Sequence, residues 1–421
     1  MLRLALAFSI TLLPLGCGAR SPLGGPSFDE ELPGADGGVV LPDGAAAPAK
    51  LCPAWVATHP PVQLSNTASI MELQSALGTS SGVLVGYADE QFPPVDPRWH
   101  ARLVSYGTAT LGDESSLMPR NSSQLGWTGV SLAQGNGRIA AVASDQVNGM
   151  FFVPIDQNGA PTGAPTRTPG DPGRYLLGTS TGFSALRSAF DPSGLRHSPV
   201  ELASLDASGQ VLGSRTILDA SVPVDWYWRF GLADGSFVIV WAASDACPGC
   251  RTVRGQHFSE SGVAMASVAR LHDFGANEYG NYTAAATSTG FLLAWSEGGP
   301  PNPIEFVGEP FDPDGVPTGG ATHFAKFPGP NAPLFALATA PGGDLLAAWV
   351  DDSLSQHPQA YVQSVRADGS PEGSVATVST AAPSSDTVMV VASPLGAMLL
   401  YQGDIPNFGI EVYAVPLACG S

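Results

Sequence analysis

Six of seven near-copies of one short apolar run in this chain are followed closely by carboxylates. "GVLVGY" at 82–87 leads to Asp89 and Glu90, "GRIAAV" at 137–142 to Asp145, and "SFVIVW" at 236–241 to Asp245. "GFLLAW" at 290–295 leads to Glu297, "DLLAAW" at 344–349 to Asp351 and Asp352, and "GAMLLY" at 396–401 to Asp404. The remaining copy, "GFSALR" at 182–187, ends in Arg187 and reaches an acid at Asp191. Carboxylates gathered at one place raise the local negative potential and attract cations or basic partners. With one acid raised and another ionised they would suit the hydrolysis of a polysaccharide. The competing reading is that Asp and Glu simply end strands and solvate loops, the pattern being inherited with the repeat. No EF-hand spacing is present, so no calcium loop is expected.

The cysteines are the second source of chemistry. "CPGC" at 247–250 has the spacing of a redox or metal pair. A zinc site wants a second pair or histidines at matching spacing. A thioredoxin-like role wants a helix N-terminus. His257 is the nearest histidine, in the next strand, and no helix is expected, so Cys247 and Cys250 read as a small disulfide in a surface loop. The seven histidines, at 59, 100, 197, 257, 272, 323 and 357, are scattered, and no HExxH, GxSxG or phosphate loop occurs. No catalytic residue, metal ligand set or cofactor is assigned.

The chain has 421 residues and a formal net charge of −19. Nucleic acid is excluded as an expected partner, because its binders carry basic patches. Charged residues are 13 %, while 50 Gly and 38 Pro make about a fifth of the chain. That is high for a helical protein and too low for disorder throughout.

The elements that must position the acids are strands. Each copy has four stretches of about six residues, rich in Val, Ile, Leu and aromatics and bounded by Gly, Pro, Asp or Ser. The second stretch is almost continuously apolar, which implies burial on both faces. The turn between the third and fourth stretches recurs as "DQNGAPTG" at 156–163, "DASGQVLG" at 206–213, "DPDGVPTG" at 312–319 and "ADGSPEG" at 367–373. Asp there bonds its own backbone and Gly supplies positive φ, so these acids are hairpin punctuation. Trp241, Trp295, Trp349, Tyr87 and Tyr401 recur at one place in the copy and read as wedges between repeats. In "DWYWRF" at 225–230, alternation puts Trp226 and Trp228 on one face and Tyr227 and Arg229 on the other; core packing is preferred to an exposed aromatic platform.

Seven copies at a period near fifty residues, four strands each, resemble an all-β, seven-bladed β-propeller of four-stranded antiparallel blades over 52–421. In propellers of known fold, the loops after the second strand lie on the face that usually holds the ligand. The resemblance therefore gathers Asp89, Glu90, Asp145, Asp245, Glu297, Asp351, Asp352 and Asp404 into a broken acidic ring. The last copy has three strands, and "PPVQLS" at 60–65 is expected to close the ring as its fourth. Cys52 and Cys419 then become neighbours and are expected to form a disulfide.

The N-terminal 17 residues have one positive charge at Arg3, an apolar run too short to span a bilayer, and Pro-Leu-Gly-Cys. They resemble a bacterial lipobox, departing from it at Pro14 where Leu is usual. The resemblance implies a signal peptide over 1–17, a lipid on Cys17 and, with Gly18 next, the outer membrane; plain secretion is the alternative. Residues 18–51 are a disordered Gly/Pro/Ala-rich tether by composition. The chain thus resembles a bacterial lipoprotein with a propeller domain. The expected function is a non-catalytic, envelope-anchored binding or scaffold protein, expected as a monomer, that presents its acidic face to a protein, glycan or cation. The alternative is a secreted or anchored polysaccharide hydrolase or lyase.

Overall fold

The computed structural model describes residues 52–64, 70–91, 95–117, 128–145, 149–168, 175–190, 197–219, 222, 226–244, 251–274, 281–298, 303–327, 334–351, 359–378, 383–405 and 409–420. The expected signal, the tether, Cys17, Cys247, Cys250, Asp245 and Asp352 lie outside them. All regular structure among the described residues is β-strand.

Two short strands, β1 (Trp55–Ala57) and β2 (Val62–Gln63), come first. The first blade is β3 (Ile70–Gly78), β4 (Gly82–Gln91), β5 (Val95–Ser105) and β6 (Ser115–Ser116). The second is β7 (Thr128–Gly135), β8 (Arg138–Asp145), β9 (Gly149–Ile155) and β10 (Thr166–Thr168). The third is β11 (Tyr175–Gly178), β12 (Phe183–Phe190), β13 (His197–Leu205) and β14 (Val211–Leu218). The fourth is β15 (Trp226–Gly231), β16 (Phe237–Ser244), β17 (Arg251–Phe258) and β18 (Ala269–Phe274). The fifth is β19 (Tyr282–Ala286), β20 (Phe291–Glu297), β21 (Ile304–Phe311) and β22 (Thr322–Phe327). The sixth is β23 (Phe335–Thr339), β24 (Leu345–Asp351), β25 (Gln359–Val365) and β26 (Pro371–Thr377). The seventh is β27 (Pro383–Ser393), β28 (Gly396–Ile405) and β29 (Gly409–Cys419). Within each sheet, chain neighbours pair antiparallel. The fold is the expected seven-bladed propeller of four-stranded antiparallel blades.

The core explains why the second strands are apolar throughout. Seven hydrophobic clusters each join two adjacent blades, and the one containing Leu73 and Val391 joins the seventh to the first. Along β20, Phe291, Leu293 and Trp295 pack toward the fourth blade, whereas Leu292 and Ala294 pack toward the sixth. Period-2 alternation thus feeds two interfaces, and both sets must be apolar. The recurring aromatics are wedges as expected: Tyr87, Trp241, Trp295, Trp349 and Tyr401 are all at most 3 % exposed. Tyr227 and Trp228 are buried in opposite interfaces of the fourth blade, and the side chain of Trp226 is outside the described set. Arg229, also buried, lies with its guanidinium carbon 4.8 Å from the Phe237 ring centre.

The turns between third and fourth strands form as read. Asp206 Oδ1 accepts from the backbone N–H of Ser208 at 2.8 Å and of Gln210 at 3.0 Å, Asp156 and Asp312 accept in the same way, and Asp368, further into its turn, accepts from the N–H of Ser370. The Ser208 hydroxyl, foremost, and these backbone donors hold the Asp206 carboxyl below the usual carboxylate range. Gly209 in this turn has φ +83°, and a Cβ there would lie 2.4 Å from the Phe152 ring of the preceding blade. Glycine is required twice over, by conformation and by contact.

Ring closure differs from the expectation in extent. Val62–Gln63 pairs with β29 as expected, but pairing begins earlier, with Trp55 opposite Cys419 and Ala57 opposite Leu417. The fourth strand of the last blade is therefore split. Pro60 and Pro61 cannot donate to a ladder, and the break falls on them. Cys52 and Cys419 form the expected disulfide, with Cα atoms 5.4 Å apart. The closing segment also grips three blades. Trp55 Nε1 donates to Ser364 Oγ at 2.9 Å, and Ser364 Oγ donates to the Cys52 carbonyl at 2.7 Å, on the sixth. Arg102 of the first blade donates to the Leu64 carbonyl. On the seventh, Gly420 N–H donates to the Ala54 carbonyl at 2.7 Å.

Gly373 marks the tightest point of this clasp. Its φ is +72°, and a Cβ would fall 1.7 Å from the Pro53 carbonyl oxygen. Gly373→Ala is expected to cost more than about 1 kcal/mol and to lift residues 52–54 off the sixth blade. Limited proteolysis checks this: cleavage near Pro53 should rise well above wild type, and an unchanged digestion pattern would refute it.

Candidate functional site

Second and third strands of each blade meet at one end, and those of the singled-out acids that lie among the described residues are there. The structure corrects their setting. They lie within strands rather than in the loops beyond: Asp89 and Glu90 in β4, Asp145 at the end of β8, Glu297 at the end of β20, Asp351 at the end of β24 and Asp404 in β28. The backbone ladder continues past the point where side chains leave the core, because its own groups still need partners. Opposite them in register are Arg98 for Asp89, Gly149 for Asp145, Gln359 for Asp351 and Ile410 for Asp404. Among the eight acids, the described side chains are those of Glu297 and Asp351.

These two differ. Asp351 is buried, and its charge adds to the burial that pushes the Tyr361 phenol up. Glu411 of the seventh blade, also buried, does the same to Tyr413, again after burial itself. Glu297 instead belongs to a polar cluster on the fifth blade. It sits opposite Glu305 of β21, and His323 of β22 lies against both, its Nδ1 2.7 Å from Glu305 Oε2 and 3.7 Å from Glu297 Oε1. Lys326 Nζ is 3.0 Å from Glu305 Oε1. The Lys326 ammonium, foremost, holds the Glu305 carboxyl below its usual range.

Glu305, His323, Lys326 and Glu411 were not singled out in the sequence. Glu305 follows from hairpin register once the strand ends are known. His323 does not, because the ladder between β21 and β22 shifts between Phe306 and Val307. A one-residue slip moves a side chain to the other face, and the shift puts His323 on the face of Glu305.

The blade without an acid at the end of its apolar run compensates internally. Arg187 lies opposite Glu201, with Nη2 3.0 Å from Oε2. On the first blade, Tyr87 donates its hydroxyl to Glu114 Oε2 at 2.8 Å, and His100 Nδ1 is 3.2 Å from Oε1.

The other end of the blades holds a serine, histidine and aspartate in a row. His257 Nε2 is 2.9 Å from Ser236 Oγ, and His257 Nδ1 is 2.9 Å from Asp314 Oδ1 of the fifth blade. The distances suit a nucleophilic triad, but the proton count does not. Ser236 has one hydroxyl hydrogen, and Asp234 Oδ1 takes it at 2.5 Å, the main reason the Asp234 carboxyl sits low. Ser236 is also buried. The trio joins the fourth blade to the fifth. A cavity of about 400 Å³ opens at the same end, lined by residues of the second and third blades including Arg138 and Asp156.

No protein-family model matches this chain, and no curated protein matches it. Solved structures resemble it at the level of fold. The WD40 β-propeller domain of Doa1 aligns with a TM-score of 0.45 and 10 % identity, covering 86 % of this chain and 96 % of that one. The β-propeller domain of the Trilobed protease from Pyrococcus furiosus aligns at 0.47 and 7 %, covering 82 % and 93 %. The α-L-arabinofuranosidase Arb93A from Fusarium graminearum aligns at 0.46 and 12 %, covering 85 % and 98 %. At these identities the likeness concerns the propeller fold alone.

Proposed function

We propose that this chain is a non-catalytic binding or scaffold protein, lipid-anchored through Cys17 at the bacterial outer membrane, that presents the acid-bearing end of its propeller to a protein partner. The observation that carries the reading is the state of the carboxylates described at that end. Glu305 is held low by Lys326, Glu201 is paired with Arg187, and Asp351 is buried. A glycoside hydrolase needs one acid pushed up beside one that stays ionised. Among the described residues, Glu309 is a carboxyl that burial pushes up, and its backbone lies opposite Leu293, whose side chain packs between the fourth and fifth blades.

One observation favours the hydrolase reading. Oxygens of Glu297 and Glu305 lie within 4.8 Å of each other, close to the roughly 5 Å of retaining glycosidases. Two measurements separate the readings. On a panel of envelope polysaccharides the full chain is expected to release no reducing ends; release that disappears in E297Q and E305Q would establish the enzyme instead. Cross-linking in intact cells is expected to join envelope proteins to the acid-bearing end, with Cys17→Ser moving the protein out of the membrane fraction. Cross-links confined to the outer strands, or a C17S protein that stays with the membrane, would overturn the proposal.

A further inference from the structure

We propose that Glu297, Glu305 and His323 form a binding site for a divalent transition-metal ion of the zinc class on the fifth blade. The site lies at the end assigned above to partner binding but does not depend on that assignment. Three adjacent strands, β20, β21 and β22, each supply one ligand at the same blade end, and one ligand atom from each falls within 4.8 Å of the other two.

The register makes this blade unlike the rest. Where Asp89, Asp145, Asp351 and Asp404 lie opposite Arg98, Gly149, Gln359 and Ile410 in register, Glu297 lies opposite Glu305, so two glutamates hold directly opposed positions. Like charges in directly opposed positions destabilise a strand pair. The fold keeps them together and brings a histidine to the same face through the register shift after Phe306. Zinc takes imidazole nitrogen and carboxylate oxygen as ligands, and centres with three protein ligands keep a fourth position open. The hard cations calcium and magnesium prefer all-oxygen sets, so the imidazole points to zinc or a neighbour of it.

The distances fit. Ligand atoms on a tetrahedron around a zinc ion with bonds of about 2.1 Å are about 3.4 Å apart. His323 Nδ1 lies 2.7 Å from Glu305 Oε2 and 3.7 Å from Glu297 Oε1, on either side of that value. Lys326 contacts the other oxygen of Glu305, Oε1, at 3.0 Å. It therefore orients the carboxylate from behind, as outer partners of metal ligands do. His323 is about half exposed, so an ion reaches the site from solvent.

The test is calorimetric titration of the full chain with zinc chloride, beside E297Q and H323Q. Both side chains are partly exposed, so the variants should fold, and circular dichroism verifies it. Wild type is expected to bind one zinc ion, and each variant to bind more than about tenfold more weakly. Ring-¹⁵N spectra of the histidines should show zinc moving the His323 Nδ1 resonance first. Equal affinity in wild type and H323Q, no binding by wild type, or a first response at another histidine would overturn the assignment. Loss of zinc binding in H323Q with unchanged partner cross-links would leave the binding function standing, so the two proposals fail separately.

Discussion

Replacing Cys52 and Cys419 by serine is expected to cost more stability than any single surface change in this protein. The disulfide joins residues separated by 367 positions. In the chain-entropy description, closing so long a loop in the unfolded chain is worth about 6 kcal/mol, an upper figure because residual unfolded structure reduces it. The bond also holds the closing segment where β1 pairs with β29, and where Trp55 and Ser364 link it to the sixth blade. The double variant should therefore unfold at a clearly lower guanidinium concentration than wild type. Wild type under reducing conditions should fall to the midpoint of the variant measured in the same reductant. Equal midpoints for oxidised wild type and variant would mean that strand pairing alone closes the ring, and the claim would be lost.

Trp349→Ala should produce a large loss of stability at a blade interface. Trp349 is 2 % exposed and fills the space between the fifth and sixth blades. Its ring meets Phe306 edge-on at 5.8 Å and stacks on Tyr361 at 5.9 Å. Truncation of a buried tryptophan costs about 3–5 kcal/mol, the transfer free energy plus the cavity left behind. Trp349→Phe should recover part of it by refilling part of the volume. Leu212→Ala should change little, because Leu212 is 72 % exposed. Denaturant midpoints of the three variants check the order. A midpoint for W349A close to that of L212A would show that the interface collapses around the loss, and would refute the wedge role.

Why these wedges were legible and the polar cluster was not is a matter of range. A residue buried between blades is fixed by alternation along its own strand, and the alternation is written in consecutive residues. Tyr87, Trp241, Trp295, Trp349 and Tyr401 could be placed without knowing what they touch. The turn aspartates are equally local, since Asp206 bonds to residues two and four positions on. The cysteine pairing was long-range yet legible, because a closed ring of repeats leaves one seam and both cysteines border it. The closing strand was half read: Val62–Gln63 lies in the run "PPVQLS", which looked like other fourth strands, whereas Trp55–Ala57 lies before the two prolines and outside that run.

The sequence by itself determined the strand content, the fourfold unit, its seven copies and the place of the seam. Those follow from hydrophobic period and from Gly, Pro and Asp punctuation, which act within a few residues. Tertiary structure decided what the acids do. Identical-looking carboxylates at the end of one repeated run became a buried group at Asp351 and a member of a glutamate–histidine–lysine cluster at Glu297. The difference lies in which residue the neighbouring strand places opposite, and in one register shift between β21 and β22. Register is set by pairing between strands, and charge–charge interactions depend on distances of a few ångströms. No run of residues along one strand carries that information.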